Sequence, residues 1–263
     1  FILGLGSQIK AHITRRFSME WSSPAARMRE YVHALHAIWD VWDGTSDRLD
    51  FRGDFYEHTL MTPFFTPQQH GYGRPKVALA AVGPLMTQVV GEVADIFLAH
   101  GFTTDRYLRD HTLPNLEHGA KAAGRSLEDI EVALPVFAIC GYTAEEAANN
   151  EALVKGQIAF YGSTPAYRPV LEAHGWEDLQ PELNALSKQG EWGAMSELVT
   201  DEILEAFAIR AEPDELGSRI RQRFGGLADR ISLYSAFQFR DGAGPEGGAG
   251  AWDSFYAQLR GET

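Results

Sequence analysis

The stretch Lys76-Val77-Ala78-Leu79-Ala80-Ala81-Val82-Gly83-Pro84 joins an apolar strand directly to a helix start. Small and β-branched residues at 76–81 predict a short buried strand. Proline in the first turn predicts a helix over 84–93, and the apolar run 96–99 predicts the next strand. Parallel strands need a crossover of this kind, usually a helix. The stretch therefore predicts an α/β fold with a parallel sheet and outer helices.

The same alternation continues along the chain. Apolar runs predict further strands at 1–6, 130–140 and 231–237. Apolar residues at steps of three and four predict helices at 24–42, 104–123, 201–209, 213–224 and 252–259, and another that begins after Thr143. Five parallel strands fit an open sheet or part of a (β/α)8 TIM-type barrel, and we expect one domain over 1–263.

Local signals predict where the helices begin and where the chain leaves the alternation. Ser23 and Thr200 are candidate N-caps, Thr143 and Glu146 form a candidate capping box, and Pro213 is expected to open a helix. Two excursions are expected. One covers 43–75 with a short hairpin near 51–56, and the other covers 156–200 with short helices separated by Gly162, Gly175, Pro181 and Gly190.

The beginning of the chain is apolar and lacks methionine. Phe1-Ile2-Leu3-Gly4-Leu5-Gly6 predicts a buried strand already at the first residue, whereas chain ends are usually polar and frayed. We therefore expect the chain to be the C-terminal portion of a longer protein.

Composition excludes several functional classes. The 23 basic and 36 acidic residues give a net charge of −13, which disfavours a general nucleic-acid role. No apolar run approaches the roughly 20 residues of a membrane span, and no secretory signal is visible. The single cysteine, Cys140, cannot form an internal disulfide. Together these features favour a protein of the reducing cytoplasm.

Polar residues follow the first strand. Gln8, Lys10 and His12 lie where a strand leaves the sheet, and sites in α/β folds form at the carboxyl ends of strands. Gln8 and His12 are the candidate catalytic residues. A solvated loop is the alternative, and it is favoured for Lys10.

The turn after 76–81 is the second candidate. Ala81, Val82 and Gly83 are small, and the free N–H groups at the start of the next helix attract anions such as phosphate. The turn lacks the Gly-x-Gly-x-x-Gly pattern of dinucleotide sites. A plain strand–helix turn is the alternative.

The last candidates follow the strands 96–99 and 231–237. His100 is expected at the rim as a hydrogen-bond donor, with Thr103 beside it, or else as a histidine bonded to a neighbouring loop. Gln238, Arg240 and the glycine-rich loop 241–250 form either a lid or a connector. No metal-binding motif appears in the sequence.

Several of these segments resemble the bacterial luciferase-like monooxygenase superfamily, and more narrowly its coenzyme F420-dependent oxidoreductase branch. The segments that carry the resemblance, in their order and spacing, are Phe1–Ser7, Pro24-x-x-Arg27-Met28-x-Glu30-Tyr31, Phe51-x-Gly53-x-Phe55-Tyr56, Ala80–Pro84 with Ala94-Asp95, and Thr200–Pro213. The resemblance covers nearly the whole chain.

The resemblance implies barrel strands four to eight, with strands one to three absent from this chain. It implies F420 as cofactor, its phosphate and ribityl chain along Val82 and Gly83, with His100 and Thr103 as further contacts. Gln8-Ile9 replaces the Gly-Glu of the family's sugar-phosphate dehydrogenases, so that substrate class is not expected. The implied activity is hydride transfer between deazaflavin and an organic substrate by a homodimer. The alternatives are an FMN-dependent monooxygenase and a non-catalytic cofactor-binding protein.

Overall fold

The computed structural model describes residues 1–234, 237 and 250–262. The strands are β1 (Ile2–Leu5), β2 (Phe51–Arg52), β3 (Glu57–His58), β4 (Lys76–Ala80), β5 (Ile96–Leu98), β6 (Glu131–Ile139), β7 (Ala208–Arg210) and β8 (Arg230–Tyr234). The helices are α1 (Pro24–Trp42), α2 (Pro84–Val93), α3 (Asp105–Tyr107), α4 (Leu113–Ala122), α5 (Ala144–Gly162), α6 (Arg168–Glu172), α7 (Leu179–Gln189), α8 (Trp192–Glu197), α9 (Asp201–Phe207), α10 (Leu216–Phe224) and α11 (Ala251–Arg260).

The chain forms two units. The first contains Phe1–Leu98 and Thr112–Glu131, and the second contains Ala99–His111 and Val132–Thr263. Parallel strands and outer helices are present in each, as the sequence predicted.

In the first unit, β4 lies between β1 and β5, and both pairs are parallel. The side chains of Val77 and Leu79 on β4 are fully buried. The carboxylate of Asp95 accepts the Val77 N–H at 2.7 Å and so fixes the start of β4. β2 and β3 form a separate antiparallel hairpin, as predicted.

The strand β1 is less buried than its sequence suggested. Phe1 is 95% exposed and Ile2 is 42% exposed. The expectation of a buried first strand was therefore wrong, because no residue of β1 is buried and Leu3 and Leu5 are only half-buried. The reason is that β1 pairs with β4 on one side and has no partner strand on the other among the described residues.

Helix α1 begins at Pro24 as predicted, but the predicted Ser23 cap was wrong. Ser23 adopts a left-handed conformation, with φ 39°, and its side chain makes no capping hydrogen bond. The helix buries Val32, Ala34 and Trp39, whereas Leu35 is only half-buried.

Helices α2 and α4 approach each other at two glycines. A Cβ atom on Gly91 would collide with the Leu116 carbonyl oxygen, and one on Gly119 would collide with the Gln88 carbonyl oxygen. This close packing covers the sheet of the first unit with Val89, Val90 and Leu116 buried.

In the second unit, β6 pairs in parallel with both β7 and β8. Two apolar clusters form its core. One surrounds Phe137 and Leu204, and the other joins Val136 to Ile209 and Ile220. The predicted caps of α5 and α9 are confirmed, since Thr143 and Thr200 accept the Glu146 and Ile203 N–H groups.

Three predicted boundaries were wrong. Residues 208–210 form strand β7 instead of extending α9, because their backbone pairs with β6. Pro181 lies in the first turn of α7 and does not separate helices, because an N–H is dispensable there. α10 begins at Leu216, after a turn that contains Pro213.

The helix expected over 104–123 is divided by a π-helical turn at Leu108–Thr112. Pro114 follows this turn, and its missing N–H prevents a regular helical hydrogen bond. Part of the predicted strand 231–237, residues Gln238 and Arg240, and most of the loop 241–250 lie outside the described residues.

Candidate functional site

The carboxylate of Glu30 on α1 holds the β2–β3 hairpin of the first unit. It accepts the backbone N–H groups of Asp54, Phe55 and Tyr56 at 2.9, 2.7 and 2.6 Å. Desolvation alone would raise the pKa of Glu30, but these hydrogen bonds outweigh it and lower the pKa. A Cβ atom on Gly53 would collide with the same carboxylate, so the glycine is required for this contact.

Aromatic and cationic contacts reinforce the attachment. The Arg27 guanidinium lies 4.6 Å from the centre of the Phe55 ring and donates to Ser22 Oγ at 2.7 Å. The rings of Tyr31 and Tyr56 meet edge to face at 5.5 Å. The two sequence motifs in α1 and the hairpin are therefore complementary halves of one contact.

A cavity of about 370 Å³ lies at the carboxyl end of β1 in this unit. Its lining combines apolar and aromatic side chains with a few polar groups: Leu5, Gly6, Ser7, Ile13, Met19, Glu20, Trp21, Ser22, Pro24, Arg27, Met28, Tyr31 and Tyr56. Such a volume and lining are typical of sites for small organic molecules.

The candidate catalytic residues Gln8 and His12 lie together just beyond β1. Gln8 Oε1 and His12 Nδ1 are 3.0 Å apart. Gln8 has φ 57°, a left-handed conformation that non-glycine residues rarely adopt. Strain of this kind is frequent at functional sites. His12 begins a π-helical turn, His12–Arg16.

The candidate cofactor-binding residues Ala81, Val82 and Gly83 follow β4, the direct neighbour of β1. Gly6 lies beside Ala80, and a Cβ on Gly6 would be in ordinary van der Waals contact with the Ala80 Cβ, at 3.6 Å. Gly83 is the N-cap residue of α2 and provides no side-chain cap. A Cβ there would meet no atom of the described residues within 4 Å, so these residues leave the turn open to a ligand. Its φ of −84° is one that any residue can adopt, so the backbone conformation does not require glycine here.

His100 lies in the second unit, two residues beyond β5, and its orientation is fixed. Its Nδ1 accepts the Phe102 N–H at 3.0 Å. This leaves Nε2 to carry the proton of the neutral ring. Burial lowers the pKa of His100. The partner of Nδ1 is a backbone N–H instead of a loop carbonyl, and the expected position at the rim stays a prediction.

Tyrosines surround His100, and the sequence motifs did not identify them. Tyr167 stacks on its ring with centres 4.7 Å apart, and Tyr161 meets it edge to face at 4.6 Å. The hydroxyl of Tyr161 is hydrogen-bonded to that of Tyr234. Tyr161 and Tyr167 fall in the excursion 156–200, where the sequence shows no motif. Tyr234 lies at the end of β8, so the rule that sites form at the ends of strands could have identified it.

Thr103 lies three residues from His100 and is 8% exposed. Its Oγ1 has no hydrogen-bond partner among the described residues. A buried hydroxyl without a partner is costly, and the role of Thr103 as a cofactor contact stays a prediction. Thr104 instead accepts the Tyr107 N–H as a helix cap.

We also searched the described part of the chain for a metal site, a reactive cysteine and a membrane-spanning helix. It contains no cluster of histidine, cysteine or acidic residues that could hold a metal. Burial raises the pKa of Cys140 to about 12, so its thiol is protonated at neutral pH. Within the same residues, no helix has the length and apolarity to cross a membrane.

The chain belongs to the luciferase-like monooxygenase family, whose model matches residues 1–230. It is 50% identical over 231 residues to an uncharacterized protein of Mycobacterium tuberculosis, covering 88% of this chain and 67% of that protein. It is 26% identical to the 5,10-methylenetetrahydromethanopterin reductase of Archaeoglobus fulgidus, covering 84% of this chain and 63% of the reductase. It is 24% identical to an F420-dependent glucose-6-phosphate dehydrogenase of Amycolatopsis mediterranei, covering 84% and 59%.

Solved structures show the same fold. The coenzyme F420-dependent tetrahydromethanopterin reductase of Methanopyrus kandleri aligns with a TM-score of 0.66 at 21% identity, covering 99% of this chain and 72% of that one. An F420-dependent secondary alcohol dehydrogenase aligns with a TM-score of 0.55 at 18% identity, covering 88% and 63%. The predicted family and its α/β barrel class are therefore confirmed.

Proposed function

We propose that this chain belongs to an oxidoreductase that uses coenzyme F420 and transfers a hydride between the deazaflavin and a small organic substrate. The observation that carries the proposal is the open turn Ala81–Gly83 at the start of α2, within a chain whose named curated relatives include F420-dependent enzymes. Because the chain spans about two thirds of its relatives, the proposal concerns the whole protein.

The residues of the turn suit a phosphate-bearing cofactor. Pro84 has no N–H, and the Leu85 and Met86 N–H groups have no partner among the described residues. These groups and the helix dipole favour an anion. In the first unit, Val82 and Gly83 would hold the cofactor phosphate. In the second unit, His100 and Thr103 stay the candidate cofactor contacts that the family resemblance implies.

F420, when bound, supplies the hydride chemistry, and the protein supplies binding and orientation. In this proposal the hydrogen-bonded amide of Gln8 and imidazole of His12, which do not line the cavity, orient the part of the substrate that extends beyond it. The cavity at the end of β1 accepts the substrate body. Its largely apolar lining favours an organic molecule with few charges over a sugar phosphate.

An FMN-dependent monooxygenase is the second candidate, because the family model itself bears the monooxygenase name. A monooxygenase from Streptomyces bottropensis also shares the fold, with a TM-score of 0.53 at 17% identity. Both cofactors carry a ribityl phosphate, so the turn alone does not distinguish them.

Equilibrium titration of the full-length protein with F420 and with FMN, followed by fluorescence, tests the proposal. We expect F420 to bind at least tenfold more tightly than FMN, about 1.4 kcal/mol. Tighter binding of FMN would favour the second candidate, and binding of neither cofactor would contradict both.

The homodimer remains a prediction, and light scattering at micromolar concentration tests it.

A further inference from the structure

The second unit encloses the imidazole of His100 between aromatic side chains from separate elements. Tyr161 lies in the last turn of α5, and Tyr167 belongs to the short 3-10 turn Pro165–Tyr167. The Tyr167 ring is inclined by only 26° to the imidazole, whereas the Tyr161 ring is inclined by 87°. Tyr167 therefore packs against the face of the imidazole, and Tyr161 lies perpendicular to it, so the two rings together restrict its orientation.

The enclosing side chains are themselves held in place. The Tyr161 hydroxyl is bonded to the Tyr234 hydroxyl, and the Tyr234 ring stacks on Phe137 with centres 5.1 Å apart. A Cβ atom on Gly101 would lie 2.7 Å from the Tyr234 ring. The loop after β5 therefore fits against Tyr234 only because residue 101 is glycine.

The hydrogen bond at Nδ1 determines the protonation state of His100. Since Nδ1 accepts the Phe102 N–H, a proton on Nδ1 would break that bond and face another donor. Burial acts in the same direction and lowers the pKa. The titratable groups that face the ring are the phenols of Tyr161 and Tyr167, and no charged group among the described residues contributes to the shift.

We propose that Tyr161 and Tyr167 position His100 as a neutral donor with its proton on Nε2, and that the subsite formed by this N–H therefore binds an uncharged hydroxyl or carbonyl oxygen and not a phosphate. The identity of the bound molecule rests on the proposed function, whereas the state of His100 does not.

Electrostatics explains the preference for an uncharged oxygen. A phosphate dianion that leaves water requires cations or several strong donors to replace its hydration. The neutral imidazole provides one donor, and the surrounding phenols are weakly acidic. Burial and the hydrogen bond to Tyr234 raise the pKa of Tyr161, so this phenol remains protonated at neutral pH. One neutral donor is sufficient for a hydroxyl or carbonyl oxygen, which loses far less hydration energy.

The free protein tests the positioning role without any ligand. Nitrogen-15 NMR of labelled histidines, with His100 assigned from His100→Gln, reports which ring nitrogen carries the proton. At pH 6.5, where an unperturbed histidine is half protonated, we expect the spectrum of the neutral Nε2–H form. Tyr167→Phe should preserve this spectrum, and Tyr167→Leu should shift the protonation midpoint upward. A half-protonated His100 in the wild type, or an unchanged midpoint in Tyr167→Leu, would overturn the positioning role.

Two probes then test the preference of the subsite. Addition of F420 should shift the His100 signals while they keep the neutral pattern, and saturating inorganic phosphate should leave them unchanged. Conversion of His100 to the doubly protonated form by either probe would overturn the preference. Signals that do not move with F420 would refute contact of His100 with this cofactor, while the free-protein spectra would still decide the positioning role.

Discussion

The carboxylate of Glu30 accepts the backbone N–H of Phe55 at 2.7 Å and joins α1 to the β2–β3 hairpin. The neighbouring N–H groups of Asp54 and Tyr56 converge on the same side chain. Since Tyr31 and Tyr56 line the cavity at the end of β1, this contact shapes the wall of the proposed substrate site.

We expect Glu30→Gln to loosen the hairpin, because an amide accepts fewer hydrogen bonds than a carboxylate and repels N–H donors with its NH₂ group. Limited proteolysis should cut the segment 51–58 several-fold faster than in the wild type. The control Glu57→Gln removes only an exposed ion pair with Arg52, which contributes little. Equal cleavage of all three proteins would show that Glu30 does not hold the hairpin.

We expect Gly91→Ala to destabilise the protein by about 1–3 kcal/mol, because the new methyl group collides with the backbone of α4. The control is Gly156→Ala in α5, where the nearest atom to a Cβ is Ser196 Oγ at 3.7 Å. That variant should gain about 0.5–1 kcal/mol from helix propensity. Urea unfolding measures both values. Stabilisation by both variants would contradict the close packing of α2 and α4.

The sequence predicted best where local signals and tertiary structure agree. The helix α2 has the bounds that were predicted, since Pro84 begins it and the apolar period continues to Val93. The strand β7 was missed because Ala208 and Ile209 continue the apolar period of α9, and only pairing with β6 makes them a strand. A stretch of three residues is too short to show in its own sequence pattern that it pairs with a distant strand.

Some residues of the candidate site were likewise predicted from the sequence, and others were not. The strand-end rule identified Gln8, His12, Gly83 and His100 as polar or open positions, and the hydrogen bond between Gln8 and His12 shows that the first two lie together. Tyr161 and Tyr167 were not predicted, because they come from an irregular segment that no periodicity describes. Their roles, like those of the predicted residues, remain proposals.

Stability should decrease as pH falls below about 6.5, because burial lowers the pKa of His36, His100 and His174. Below this pH the unfolded chain binds protons at these histidines that the folded chain does not bind. The free energy of unfolding is therefore highest above the pKa of a histidine in the unfolded chain, and it decreases as the pH falls from there through the lowered pKa of the folded protein. Urea unfolding at about pH 7.5 and about pH 5.5 measures the difference.

His100→Gln should reduce this difference, because it removes one of the three histidines whose pKa burial lowers. If the His100 variant kept the full pH dependence of the wild type, the proposed burial effect on this residue would be wrong.

The most direct test of the cofactor site is titration of F420 against Gly83→Val. Valine fits the backbone at this position, where φ is −84° and a Cβ would meet no atom within 4 Å in the part of the chain that the structure describes. The fold should therefore persist, and unfolding curves check this. The control Gly71→Val adds the same side chain at another open position, in the excursion 43–75. We expect F420 to bind Gly83→Val at least tenfold more weakly than the wild type and the control, about 1.4 kcal/mol. Equal affinity of all three proteins would contradict a cofactor at the start of α2.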